Sequence, residues 1–126
     1  MTKYRIWDKF NKEFIDLEHT DRNLSIDPIS GKVMETEIST GELDNYLSDW
    51  LVPVVFTGLH DKHGKEIYED DFLKSKHGQI GRVYYFCDSY LIHWIKENYE
   101  SNLRKCTDCE VVGNIYENPE LLDNHK

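Results

Sequence analysis

The chain has 126 residues, of which 39% are hydrophobic, 13% aromatic and 31% charged, and its formal net charge is −9. That length suits one domain with a real core, and the acidic balance argues against direct binding to phosphate backbones, which needs clustered Lys and Arg. No apolar run approaches the roughly 18 residues of a membrane span, and the opening Met1-Thr-Lys-Tyr-Arg-Ile-Trp-Asp8 lacks the apolar segment of a signal peptide. The expectation is a cytoplasmic protein whose three cysteines, Cys87, Cys106 and Cys109, stay reduced.

In chain order, Tyr4-Arg-Ile-Trp7 and Phe14-Ile-Asp-Leu17 flank a polar turn from Asp8 to Lys12 and predict a β-hairpin. Leu24-Ser-Ile26 and Lys32-Val-Met34 flank Asp27-Pro-Ile-Ser-Gly31, a second hairpin. Ser39-Thr-Gly-Glu42 has the capping-box pattern. Leu43, Tyr46, Leu47 and Trp50 follow at i, i+3, i+4 and i+7, so residues 39–52 are expected to form a short helical insertion ended by Pro53. A helix that short persists only if its apolar stripe is covered.

Val54-Val-Phe-Thr57 reads as a strand, Asp61-Lys-His-Gly64 as a turn, and Phe72-Leu-Lys74 as a short strand turned back by Ser75-Lys-His-Gly78. Ile80–Phe86, Tyr90–Ile95 and Glu110–Tyr116 complete the strands, and Asn118-Pro119 gives the N-cap and first residue of a closing helix. Residues 123–126 read as a frayed tail. Many short strands between frequent turns predict a mainly β fold, a small barrel or sandwich with one or two short helices, in one domain over 1–126. Residues 67–95 have the rhythm of an SH3-like barrel, a likeness of fold that carries no function.

Three ordered blocks resemble the YopX family of bacteriophage and prophage proteins. They are Tyr4-Arg-Ile-Trp-Asp8, the central Thr57-Gly-Leu59 through Asp61, Gly64, Lys65-Glu-Ile-Tyr-Glu69 and Asp71, and the closing Val112-Gly-Asn-Ile-Tyr-Glu-Asn-Pro-Glu120. The span 57–116 is the most recognisable core. Asp70 stands where the family usually has Gly. The resemblance implies a mostly β protein that forms homo-oligomers, and it supplies no catalytic, cofactor or metal residues.

The residues themselves offer little chemistry. Cys106-Thr-Asp-Cys109 is a single C-x2-C, half of a structural zinc set. The histidines are scattered; His60 and His63 lie in one turn, and His93 sits in an apolar strand. Asp61 to Glu66 fails as a calcium loop, because position six is Glu66. Glu66, Glu69, Asp70 and Asp71 read as a solvated acidic turn. No nucleophile has an identifiable base and no phosphate loop exists. No enzyme activity, cofactor or metal is therefore expected.

Aromatic residues exceed what a small core obviously needs, and interfaces favour Tyr and Trp. The candidate interface is the Leu43/Tyr46/Leu47/Trp50 stripe together with Tyr85 and Trp94. The expectation is a non-enzymatic, self-assembling phage accessory protein acting through contacts with itself and with a host or phage protein. The alternative is a nucleic-acid-associated module in phage DNA metabolism, suggested by the SH3-like rhythm and the aromatics.

Overall fold

The computed structural model describes residues 3–39 and 41–123. The chain is mainly β, built from curled antiparallel sheets with one short helix. It divides into two compact units, Tyr4–Val54 and a second that begins at Val55 and includes Lys3.

In the first unit, β1 (Tyr4–Asp8) and β2 (Glu13–Phe14) form the expected hairpin, with Trp7 opposite Phe14. Those two rings meet edge-on at 4.9 Å. The Asp8 carboxylate shapes the turn by accepting the N–H groups of Phe10 and Asn11, as turn aspartates do. β3 (Asn23–Ile26), β4 (Val33–Ser39) and β5 (Glu42–Ser48) form a three-stranded antiparallel sheet in that order. Asp27 closes the β3–β4 turn, its carbonyl accepting from Gly31 N–H and its carboxylate from Ser30. Ile6, Val33 and Leu51 form this unit's core, with Tyr4, Ile15, Leu24 and Ile26 packed against them.

The helix expected over 39–52 is a strand. Every residue from Val33 to Ser39 pairs across the hairpin with one from Ser48 to Glu42. Two physical reasons explain the difference. Leu43 and Leu47, four apart, satisfy a period of two as well as a helical one, and a ten-residue helix cannot outcompete seven paired strand residues without burying its stripe. Gly41 at φ +84° belongs to the turn rather than to a capping box. Thr40 lies outside the described residues.

β6 (Leu51–His60) runs through the unit boundary. In the second unit its later part pairs with β7 (Glu66–Tyr68), with Phe56 opposite Tyr68. β8 (Asp71–Lys74), β9 (Ile80–Phe86), β10 (Ser89–Trp94), β11 (Tyr99–Asn102) and β12 (Glu110–Asn114) make a five-stranded sheet ordered β11-β10-β9-β8-β12. β9 and β10 are joined by Cys87 and Asp88, both at positive φ, as a two-residue hairpin loop of the primed type requires. A 3-10 turn (Leu103–Lys105) follows β11, and α1 (Glu120–Asp123) closes the described chain after the predicted Asn118-Pro119 start. Residues 124–126 of the expected tail lie outside the described residues.

The core of this unit is Ile67, Leu73, Val83, Ile92, Trp94, Leu103 and Cys109. Trp94 is 3% exposed and its indole N–H donates to Ser101 Oγ at 2.9 Å. It is therefore a core residue, not the interface residue expected from the sequence. An apolar strand, β10, carries Ile92 and Trp94 on one face at a spacing of two, and that face turns inward.

Candidate functional site

Strand alternation splits the expected apolar stripe. In the β4–β5 pairing, Ile38 opposes Leu43, Thr36 opposes Asn45 and Met34 opposes Leu47. These residues share one face, because each strand contributes every second position. It is the face opposite Val33, so it points away from the first unit's core. Ile38 is 68%, Leu43 66% and Leu47 46% exposed. Ile38 and Met34 did not figure among the sequence candidates. Their signal was the alternation Met34-x-Thr36-x-Ile38, which becomes informative only once Leu43 and Leu47 are known to lie in the neighbouring strand.

Tyr46 points the other way, opposite Glu35. Its hydroxyl donates to Glu37 at 3.1 Å. Partial burial, then hydrogen bonds to Glu37 and Glu35, push the phenol up to about 12. Glu35 is almost buried and is held by Arg22, whose Nε and Nη2 donate to its two oxygens at 2.8 and 2.7 Å. This two-pronged geometry is the strong form of the ion pair, and it holds the Glu35 carboxyl below its ordinary range. Burial alone would raise Asp8, but Asn11, Phe10 and the nearby Arg22 outweigh it and hold Asp8 low as well. A shallow cavity of about 450 Å³ opens over this network, bordered by Phe10 and Trp50. Those two rings lie edge-on at 6.4 Å and are well exposed. Trp50 thus leaves the stripe and joins a second surface patch with Phe10.

In the second unit, Tyr85 is half exposed and leans on Tyr90 at 5.0 Å. The acidic cluster is not the solvated turn expected. Asp71 is 1% exposed and accepts the Tyr68 N–H at 2.8 Å. Glu66 pairs with Lys3 at 2.6 Å. Asp70 accepts from Arg82 and from Tyr116. Glu69 is raised by burial and by the neighbouring Asp70 charge. These carboxylates are divided among separate partners, which explains why a charge run in sequence is a set of structural links in space. Asp61, the first residue of the rejected calcium loop, accepts three backbone N–H groups, from His63, Lys65 and Val111. Burial would raise its pKa, and those three donors outweigh it.

Of the histidines, His63 lies 3.3 Å from Glu110, and His93 lies 2.7 Å from Glu100. His60 packs its ring on Phe56. Cys106 and Cys109 are joined as a disulfide, against the expectation of reduced thiols, because the turn between them brings their Cα atoms to 6.0 Å. Cys87 is an exposed free thiol. No helix among the described residues is long and apolar enough to cross a membrane.

Among known proteins, the YopX protein family model matches residues 3–123, nearly the whole chain. This chain belongs to the YopX family. Protein EF1440 from Enterococcus faecalis is similar in structure, at a TM-score of 0.63 and 24% identity over 97% of this chain and 98% of that one. Protein yopX from Bacillus subtilis is similar at a TM-score of 0.61 and 19% identity, over 94% and 96% of the two chains. At those identities the likeness shows a shared fold. No curated protein matches. The YopX match spans both units, and the Asp70 found at the family's Gly position adopts φ +67°, the left-handed conformation that Gly takes freely and Asp tolerates.

Proposed function

We propose that this YopX-family chain is a non-enzymatic, self-assembling phage or prophage accessory protein that works through protein–protein contacts. The observation that carries the reading is the outward apolar face of β4 and β5, with Ile38 and Leu43 exposed side by side, Leu47 exposed beyond Asn45 on the same face, and β5 the last strand of its sheet. Apolar residues paired across strands and left in water mark an interaction surface, and an outermost strand offers unpaired backbone groups to another chain.

Antiparallel addition of β5 to β5 of a second copy has one favourable register. Centred on Asn45, it sets Leu43 opposite Leu47 of the second copy and Asp44 opposite Tyr46. Each Ile38–Leu43 pair then continues into Leu47 and Met34 of the second copy, giving two apolar rows across four strands on either side of Asn45. Centring on Asp44 sets two carboxylates directly opposite, which is unfavourable. A shift by one residue turns the leucines to opposite faces.

Sedimentation velocity across micromolar concentrations tests the reading. The wild type is expected to associate and the Leu43→Lys, Leu47→Lys double variant to sediment as a monomer with unchanged circular dichroism. A wild type that stays monomeric throughout rejects it.

The alternative, a nucleic-acid-associated module, draws on Phe10 and Trp50 beside Arg22, since exposed aromatics near a guanidinium suit unpaired bases. Against it, Tyr4–Val54 carries eleven acidic and five basic side chains. Salt-sensitive retention of single-stranded oligonucleotides that is lost in Trp50→Ala would favour this alternative over the first reading.

A further inference from the structure

We propose that the reduced form of the Cys106-Thr-Asp-Cys109 turn is a binding site for one thiophilic divalent metal ion, Zn²⁺ by its chemistry, held by Cys106, Cys109 and Asp108. In the disulfide form the two bonded sulfurs and a carboxylate oxygen of Asp108 lie within 4.8 Å of one another, so opening that bond leaves three ligand atoms on one short turn. Ligand atoms that close can share one ion at the 2.0–2.3 Å bonds zinc makes to oxygen and sulfur.

The surrounding turn is fixed from both sides. Leu103 is buried, Asn102 caps the 3-10 turn by accepting from Arg104 N–H, and Cys106 N–H donates to the Leu103 carbonyl. At the other end the Cys109 carbonyl accepts from Lys62 N–H at 3.1 Å, and Cys109 itself is 1% exposed immediately before β12. Buried Cys109 therefore supplies an anchored ligand, whereas half-buried Cys106 and half-exposed Asp108 border an open cavity of about 470 Å³. The fourth position faces that cavity and is open to water.

Charge supports the assignment. Two thiolates, a carboxylate and Zn²⁺ leave one net negative charge. Lys76 and Lys105 border the same cavity, and Lys76 lies 3.6 Å from Asp108. Basic neighbours favour the thiolate, which is the form that binds metal. Binding to the dithiol releases the two thiol protons. The disulfide has no thiolates to offer, so the oxidised chain does not bind through its sulfurs. This site is independent of the self-assembly surface, which lies on β4 and β5.

The test is an anaerobic Co²⁺ titration of the full chain after reduction, in a Cys87→Ser background that removes the other thiol. The expected result is one equivalent of Co²⁺ giving thiolate-to-cobalt charge transfer, displaced by one equivalent of Zn²⁺. Cys106→Ser should weaken binding at least 100-fold. Asp108→Asn should weaken it on the order of 10-fold while circular dichroism stays unchanged, and it serves as the measure if Cys106→Ser does not fold. Oxidation with a small-molecule disulfide before titration should abolish the charge-transfer band. Absence of that band in the reduced protein, or equal binding by the Cys106→Ser and Asp108→Asn variants, overturns the proposal.

Discussion

The Tyr116 hydroxyl donates a 2.7 Å hydrogen bond to Asp70 Oδ2, joining two segments 46 residues apart in the chain. The same carboxylate accepts from Arg82 Nη2 and Nε at 2.8 and 3.2 Å through its other oxygen. Asp70 holds φ +67°, so its side chain is placed by a backbone conformation that most residues avoid.

Removing the hydroxyl in Tyr116→Phe should cost about 1.5–3 kcal/mol of unfolding free energy in urea, as a hydrogen bond to a charged group does. Burial, then the bond to Asp70 and its charge, raise the Tyr116 phenol. A group raised in the fold contributes stability that is present below its unfolded value, near pH 10, and is lost as pH climbs toward the folded one. Wild type and Tyr116→Phe should therefore converge in stability above about pH 10. At position 70 itself, Asp70→Gly keeps the left-handed backbone and loses only the bonds. Asp70→Ala loses both and should be less stable than Asp70→Gly by about 1 kcal/mol. Equal stabilities would mean that the backbone conformation costs nothing here.

Arg22→Ala should produce a pH profile of opposite slope in the first unit. In the wild type, Arg22 holds Glu35 low, so the pair's contribution is full above the unfolded Glu value, about pH 4.3, and falls away as pH drops through the folded value. Without Arg22, the nearly buried Glu35 and Asp8 face each other with no cation. The variant should lose about 2–4 kcal/mol at pH 7 and recover part of it on acidification toward about pH 5, where a carboxyl raised by burial takes up a proton. Chemical denaturation at both pH values checks this. A loss that is the same at both would show that Glu35 stays screened by solvent.

The hairpins of this fold were legible because their turns carry their own chemistry. Asp8, Asp27 and Ser75 all accept backbone N–H groups in the turns where the sequence predicts them. β7 and β11 were missed. Ile67 and Tyr68 sit among acids that read as a surface turn, and Tyr99-Glu-Ser-Asn102 has no apolar alternation to announce a strand. Both are strands because a neighbour supplies the hydrogen bonds, β6 in one case and β10 in the other. The candidate surface was half legible. The sequence shows Leu43 and Leu47 as apolar and in need of cover, but their partners depend on register, which no single segment reveals. Trp94 misled because an aromatic anchor of a core and of an interface have the same sequence signature.

Gly81 makes a sharper test of how the second unit's core is packed. It lies in β9 opposite Trp94, and a Cβ there would overlap Ile92 Cγ2 and the indole of Trp94. Neither neighbour has room to yield, since Ile92 and Trp94 are both buried. Gly81→Ala should lower stability by about 1–3 kcal/mol. Its effect should appear as quenched or shifted Trp94 fluorescence, read in a background with Trp7 and Trp50 replaced by Phe. An unchanged emission spectrum and unchanged midpoint would place Trp94 elsewhere than against Gly81.

Cysteine scanning along β5 decides whether self-assembly uses the register centred on Asn45. In that arrangement Asn45 lies opposite itself on the two-fold axis, so Asn45→Cys should cross-link to its own copy under mild oxidation in a background where Cys87 is Ser. Leu43→Cys and Leu47→Cys should each cross-link poorly alone and efficiently when mixed, because each then faces the other. Directly opposed residues bring Cβ atoms to about 4.5–5.5 Å, close to disulfide reach, whereas diagonal neighbours lie too far apart. Asp44→Cys should cross-link with Tyr46→Cys and not with itself. Efficient self-linking of Asp44→Cys would shift the axis by one residue and bring the two carboxylates together in the wild type. That outcome would imply that something other than side-chain charge, such as the outward leucines packing against a different face, sets the assembly.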